Sequence, residues 1–201
     1  MKWISPVLAY FAVEIGLFAF HSTWGALLGY HAVMILSLLI AKPGIPLRIL
    51  TKSKNFKWIL LSVLLCGSSG IVLYFLWDKF GFASDFPAQV ESLGLNASNW
   101  GWFIAYFTLV NPWIEEYFWR SYLGNNAKSL QTSDPLFAGF HCLILINKVQ
   151  PGSIVFALGV LVIIGWFWRQ VAREDEGFLA SVLGHMAADF TILVAVYTMV
   201  I

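Results

Sequence analysis

Apolar positions dominate this chain in runs of about 20 residues, the length that crosses a bilayer as a helix, and short polar stretches separate them. The first run predicts a helix over 3–20 and the second a helix over 26–41, turning at His21, Ser22 and Thr23. A loop over 42–57 carries Lys42, Arg48, Lys52, Lys54 and Lys57, and Pro43, Gly44 and Pro46 stop the helix before it. A third helix is expected over 58–77. Residues 78–99 are polar and mildly acidic, with Asp78, Asp85 and Glu91 and room for a short interfacial helix. A fourth helix over 100–123 ends at Gly124-Asn125-Asn126, and Asp134-Pro135 restarts the chain as N-cap and first turn. The fifth helix, 135–146, is short for a full crossing and needs protein around it. A sixth over 152–171, a loop from Arg173 to Gly177 and a seventh from 178 to the C-terminus complete the chain. There is no internal repeat.

Composition narrows this to one class. The chain has 201 residues, of which 59% are hydrophobic and 11% charged, too few charges to coat a water-facing surface. Its 10 Trp and 17 Phe suit lipid contact and interfacial belts. The expected fold is all-α, a polytopic transmembrane bundle of about seven helices forming a single membrane domain over 1–201, in contact with the lipid bilayer. No nucleic-acid partner is expected. Cys66 and Cys142 lie far apart in apolar stretches, which argues against a disulfide framework or a cysteine zinc site. Lys2 followed by an apolar run imitates a signal peptide, but Glu14 interrupts the run and apolar character continues to Ala41, so these are read as retained helices.

The net charge of +1 matters less than its distribution. With the N-terminus cytoplasmic, the inner face collects Lys2, the five basic residues of the 42–57 loop, Arg120, Lys128, Arg169 and Arg173. The outer face keeps Lys79 and Lys148. That asymmetry follows the positive-inside rule and suggests a bacterial inner (plasma) membrane location.

Ionisable side chains inside a bilayer are costly, so each needs a reason. The fourth helix holds Glu115-Glu116-Tyr117-Phe118-Trp119-Arg120. Glu116 and Arg120 are four apart and form a natural ion pair. Glu115 points about 100° away and has no partner on its own helix, the position of a working carboxylate. Phe137 and His141 share a face of the fifth helix, as do His185 and Asp189 on the seventh. Glu115, His141 and His185 fall about 9 to 12 Å below the cytoplasmic surface in this topology. Such a layer suits water activation: a carboxylate beside a histidine deprotonates water, and a second histidine stabilises the developing oxyanion.

The pattern Glu-Glu-x-x-x-Arg, Phe-x-x-x-His and His-x-x-x-Asp over 109–190 resembles that of the CAAX-processing and bacteriocin-processing (CPBP, or ABI) intramembrane proteases, which include the type II CAAX prenyl protease. The resemblance implies a helical cavity open to cytosol and lipid, with helices 100–190 as the catalytic core. It implies Glu115 as catalytic glutamate, His141 as its partner in activating water, and His185 with Asp189 as the oxyanion-stabilising pair. Glu116 and Arg120 would support them. Better-studied members carry Asn where this chain has Asp189. An ionised Asp cannot donate a hydrogen bond, so it acts protonated or orients His185. The activity implied is a glutamate-dependent intramembrane endopeptidase, without a cofactor, that cleaves a membrane-associated protein or peptide near its terminus.

Other readings stand beside this one. Glu116 and Arg120 also suit a purely structural ion pair, and a lone helical histidine is usually a satisfied core residue. Phe137 is expected to pack around His141. Glu14 and His31, at similar mid-membrane depth, are expected to hydrogen-bond each other, and Gly25 with Gly29 to pack two helices tightly. A zinc protease using His141, His185 and a glutamate is disfavoured because no His-Glu-x-x-His helix is present. A non-proteolytic immunity or scaffold protein and a proton-coupled transporter are the remaining classes.

Overall fold

The computed structural model describes residues 2–201. Helix α1 spans Ser5–Glu14, with Pro6 in its first turn, and continues as a π-helical turn over Ile15–Ala19. His21 adopts a left-handed conformation, φ 46°, and the Ser22 hydroxyl accepts the Gly25 amide at 2.9 Å to cap α2, Thr23–Ala41. The two helices touch backbone to backbone: a Cβ on Gly16 would lie 2.3 Å from Ala26 Cα. Gly29 faces Ala12 across the same contact, whereas the nearest atoms to Gly25 belong to its own cap, Ser22. Gly16 with Ala26, not the Gly25–Gly29 pair, sets the closest approach.

The basic loop contains a 3-10 turn at Leu47–Thr51 and leads to α3, Phe56–Phe75. The Asp175 carboxylate reaches across to accept the amides of Lys54 and Asn55 at 2.9 and 2.8 Å, satisfying donors at the start of α3. Two short helices, α4 (Trp77–Phe80) and α5 (Phe86–Ser92), occupy the polar segment. There Trp77 stacks on Phe82 at 3.8 Å. Helix α6, Trp100–Glu115, continues as a π-helical segment over Glu116–Tyr122. Then come α7 (Ser133–Gly139), α8 (His141–Leu145), α9 (Pro151–Asp175) and α10 (Leu179–Val200).

Helices α3 and α10 cross most closely, through small residues. A Cβ on Gly70 would sit 2.0 Å from the Thr191 carbonyl oxygen, and one on Gly184 would sit 2.7 Å from Ser62 Cβ. Lipid supplies no hydrophobic drive between helices, so close backbone approach supplies the packing instead. Large apolar side chains point outward: Phe75 is 78% exposed, Val155 71% and Leu64 65%.

The expected all-α bundle is present, with no strand among the described residues. Helices α2, α3, α9 and α10 are long and apolar enough to cross a membrane, and the apolar stretches Ser5–Ala19 and Ser133–Leu145 are shorter. The chain is an integral membrane protein.

Three local expectations change. The fifth helix is divided at Phe140 into α7 and α8, and the Tyr10 hydroxyl donates to the Leu136 carbonyl beside that division. Asp134 does not act as N-cap, since α7 already begins at Ser133 and the Asp134 carboxylate is engaged by Arg169. Glu14 and His31 do not pair. Ala9, Val13 and Leu17 form the buried stripe of α1, which turns Glu14 outward, and His31 bonds to α6 instead.

Candidate active site

Pro112 sits inside α6 and has no N–H, so the helix loses a hydrogen bond one turn before the polar cluster. Beyond Glu115 the backbone widens into the π segment, closed by the Leu123 amide on the Phe118 carbonyl at 3.0 Å. Such wide turns recur at functional sites. Here the widening begins at the Glu115–Glu116 pair.

Both carboxylates meet one imidazole. Glu116 Oε1 lies 3.0 Å from His185 Nδ1, and Glu115 Oε2 lies 3.6 Å from His185 Nε2. Asp189, one turn along α10, places Oδ1 3.5 Å from the same Nε2. Arg120 Nε stands 3.5 Å from Glu116 Oε2. All of this is withdrawn from solvent, with Glu115 2%, Glu116 0%, Arg120 4% and His185 4% exposed. Arg120 and the His185 imidazole face three carboxyl groups in a dry interior, where removing one partner would leave the others buried without compensation. Glu116 is held from two sides. Glu115 lies against the Tyr30 hydroxyl, and its nearest histidine nitrogen is His185 Nε2 at 3.6 Å.

Aromatic rings hold the cluster in place. The Arg120 guanidinium lies 3.7 Å above the Phe137 ring and 5.1 Å from Trp168. His185 stacks on Trp168 at 4.4 Å, with 24° between the planes. Phe137 is buried and meets His141 edge-on at 5.5 Å and His185 at 6.1 Å. Rings of this kind fix orientation and exclude water.

His141 is set apart from the carboxylates. It follows the break at Phe140, its Nδ1 faces the Ala138 carbonyl at 3.3 Å, and its ring tilts over Phe140 at 4.0 Å. No hydrogen bond or ion pair joins it to Glu115 among the described residues, and Glu115 has His185 as its closest histidine. No group of three His, Cys, Asp or Glu side chains converges as a metal site among those residues.

Asn111, Tyr106 and Tyr30, which the sequence pattern did not single out, lie around this cluster together with His31. Asn111, 1% exposed, donates from Nδ2 to Asp189 Oδ2 at 3.2 Å, and its Oδ1 lies 2.9 Å from His31 Nε2. His31 Nδ1 is 3.2 Å from the Tyr106 hydroxyl. Tyr30 accepts from the Trp119 indole at 2.9 Å and sits beside Glu115. A usable signal existed for Asn111. It is a polar residue in an apolar helix, four positions before Glu115 on the same face.

Behind the site, Arg169 of α9 holds Asp134 in a fork, Nε to Oδ1 at 3.1 Å and Nη2 to Oδ2 at 2.8 Å. It also donates to the carbonyls of Ala127 and Ser129. The loop between the π segment and α7 is therefore anchored on α9.

Residues 97–191 match the family described as type II CAAX prenyl endopeptidase Rce1-like. No curated protein and no solved structure shows a significant match. The matched segment contains Asn111, Glu115, Glu116, Arg120, His141, His185 and Asp189. Through this segment, just under half of the chain, the protein is similar to the type II CAAX prenyl endopeptidases.

Proposed function

We propose that the chain is a glutamate-dependent intramembrane endopeptidase in which Glu115 is the general base. The observation that carries this reading is the contrast between adjacent carboxylates. Glu116 Oε1 lies 3.0 Å from His185 Nδ1 and its Oε2 3.5 Å from Arg120, whereas Glu115 has the neutral Tyr30 hydroxyl beside it and stands 3.6 Å from His185 Nε2. A carboxylate without a close cation can take a proton from water more readily than one that a charged group already holds.

In this mechanism a water bound between Glu115 and His141 loses its proton to Glu115 as its oxygen attacks the scissile carbonyl. The carbonyl oxygen takes on the negative charge. With Nδ1–H given to Glu116, His185 presents Nε2–H toward the reacting side, where it stabilises that oxyanion. Collapse of the tetrahedral intermediate breaks the C–N bond, and the proton held by Glu115 passes to the leaving amine. Arg120 keeps Glu116 in place, and Glu116 keeps His185 oriented. The whole chain acts as one membrane domain, with residues 100–190 supplying the catalytic helices. The Lys42 to Lys57 loop and Arg173 favour a cytoplasmic N-terminus.

The substrate class is a membrane-associated protein or peptide, cut near its C-terminus. The test uses the full chain in lipid nanodiscs with a fluorogenic peptide ending in a prenylated Cys-a-a-X sequence. Glu115→Gln keeps size and removes the base. A fall in kcat of about a hundredfold or more is expected, with unchanged thermal unfolding. Cleavage at the wild-type rate would remove Glu115 from the mechanism.

A further inference from the structure

Asp189 is the residue that departs from the pattern of the better-studied relatives, and its second oxygen is not free. Asn111 Nδ2 donates to Asp189 Oδ2 at 3.2 Å. The other end of the same amide, Oδ1, can only accept, so the proton in its 2.9 Å bond must come from His31 Nε2. A neutral His31 protonated at Nε2 has a bare Nδ1, which accepts from the Tyr106 hydroxyl at 3.2 Å. The directions of all three bonds follow from one another: Tyr106 donates to His31, His31 to Asn111, and Asn111 to Asp189. The reverse order is consistent only with a proton on Asp189 Oδ2, an inverted Asn111 amide and the other His31 tautomer. The chain links α2 and α6 to α10, and His31 and Asn111 are both buried, 3% and 1% exposed.

We propose that Tyr106, His31 and Asn111 form a positioning relay that holds Asp189 as a hydrogen-bond acceptor, so that Asp189 orients His185 and does not itself donate to the substrate oxyanion. The proposal rests on the protease reading above for its catalytic consequence and on geometry alone for the relay. Asp189 gives one oxygen to Asn111 and stands with the other 3.5 Å from His185 Nε2, too far to draw its proton from the reacting side but close enough to set where the ring lies. Fixing the first sets the direction of the second. Asn111, His31 and Tyr106 touch no reacting atom and act through Asp189.

Two measurements on the full chain in nanodiscs test it. The first is the 15N spectrum of histidine-labelled protein, assigned by single substitutions among the 4 histidines. His31 is expected as the neutral Nε2–H tautomer in the wild type and in Tyr106→Phe, where the Asn111 acceptor remains, with Nδ1–H appearing in Asn111→Leu, which removes that acceptor. The second is kinetics on the prenylated reporter. Asn111→Asp and Asn111→Leu should lower kcat about tenfold to a hundredfold with KM little changed, the scale of a small misplacement of a catalytic group. In an Asp189→Ala background, Asn111→Leu should cost nothing further. A wild-type His31 that is protonated at Nδ1, or losses that add in full across the two positions, would overturn the relay. A wild type inactive on the reporter that still shows the expected His31 tautomer would count against the protease reading and leave the relay standing. If Asn111→Asp does not fold, Asn111→Leu carries both measurements.

Discussion

Replacing Arg169 by Met removes a cation that the fold has buried with care. Its guanidinium and the Asp134 carboxylate are each 3% exposed, joined at 3.1 and 2.8 Å, with two further donations to the Ala127 and Ser129 carbonyls. Methionine fills a similar volume but leaves a buried carboxylate with the Gln131 amide, at 2.8 Å, as its remaining donor. It also leaves two loop carbonyls without the arginine. Breaking a buried pair by removing one partner costs about 3 to 5 kcal/mol, and the two carbonyls keep other donors, Gln170 Nε2 at 3.1 Å and Gln131 Nε2 at 3.4 Å. The expected loss is therefore about 4 kcal/mol, a large share of a total stability of about 5 to 15 kcal/mol.

Removing both charges separates the pair from its surroundings. Asp134→Leu with Arg169→Met leaves no unpaired charge, so the double variant should lose less than Arg169→Met alone, by about 2 kcal/mol. The assay is reversible unfolding in mixed micelles with increasing dodecyl sulfate, followed by tryptophan fluorescence. Arg169→Met losing under about 1 kcal/mol, or a double variant losing the full sum of the single losses, would refute the assignment of Arg169–Asp134 as the anchor of this loop. Because α7 carries Phe137 and leads into His141, Arg169→Met should also lower cleavage in protein that is still folded.

Other outcomes follow from single contacts. Gly70→Ala places a Cβ 2.0 Å from the Thr191 carbonyl oxygen, so α3 and α10 must separate, at a cost of about 1 to 3 kcal/mol in the same assay; Gly101→Ala, with open space around it, should leave that midpoint unchanged. Arg120→Lys keeps the charge but loses the flat guanidinium stacked 3.7 Å over Phe137, and should cost about 1 to 2 kcal/mol and slow cleavage; an unchanged unfolding midpoint would deny the stacking any role. The exposed Lys54–Glu176 pair, 2.8 Å apart, holds the Glu176 carboxyl below and the Lys54 amine above their ordinary values. Its contribution is full between the two ordinary values, disappears as pH falls through the depressed Glu176 value, and disappears at the alkaline end as pH rises through the raised Lys54 value. The difference in thermal midpoint between wild type and Lys54→Met should follow that profile and shrink in high salt.

The helices were legible because a lipid-facing segment must satisfy its own backbone and present apolar side chains, which leaves a long unbroken pattern in the sequence. Position along the chain was legible too: α2, α3, α9 and α10 lie within a few residues of expectation. Pairing across helices was not. Nothing local distinguishes a Glu14 turned toward α2 from one turned outward, and the choice was made by Ala9, Val13 and Leu17 packing against the neighbouring helix. Beside the division at Phe140, the Leu136 carbonyl meets a tyrosine 126 positions away. The ionisable residues of the site stood out because charge is rare in these segments, whereas Asn111 and Tyr106 are uncharged and gave a weaker signal.

The adjacency of Glu115 and Glu116 had suggested two carboxylates facing different ways, since successive residues of an α-helix diverge by about 100°. Both nevertheless reach His185. The π segment explains how: hydrogen bonds that skip five residues put more residues into each turn, so neighbouring side chains diverge less than in an α-helix. Pro112 contributes by removing one amide from the ladder just upstream. The division of labour then comes from the partners. Arg120, one turn beyond Glu116, lies against Phe137 and Trp168 and draws Glu116 toward itself. Glu115 has no residue in that position to compete for it.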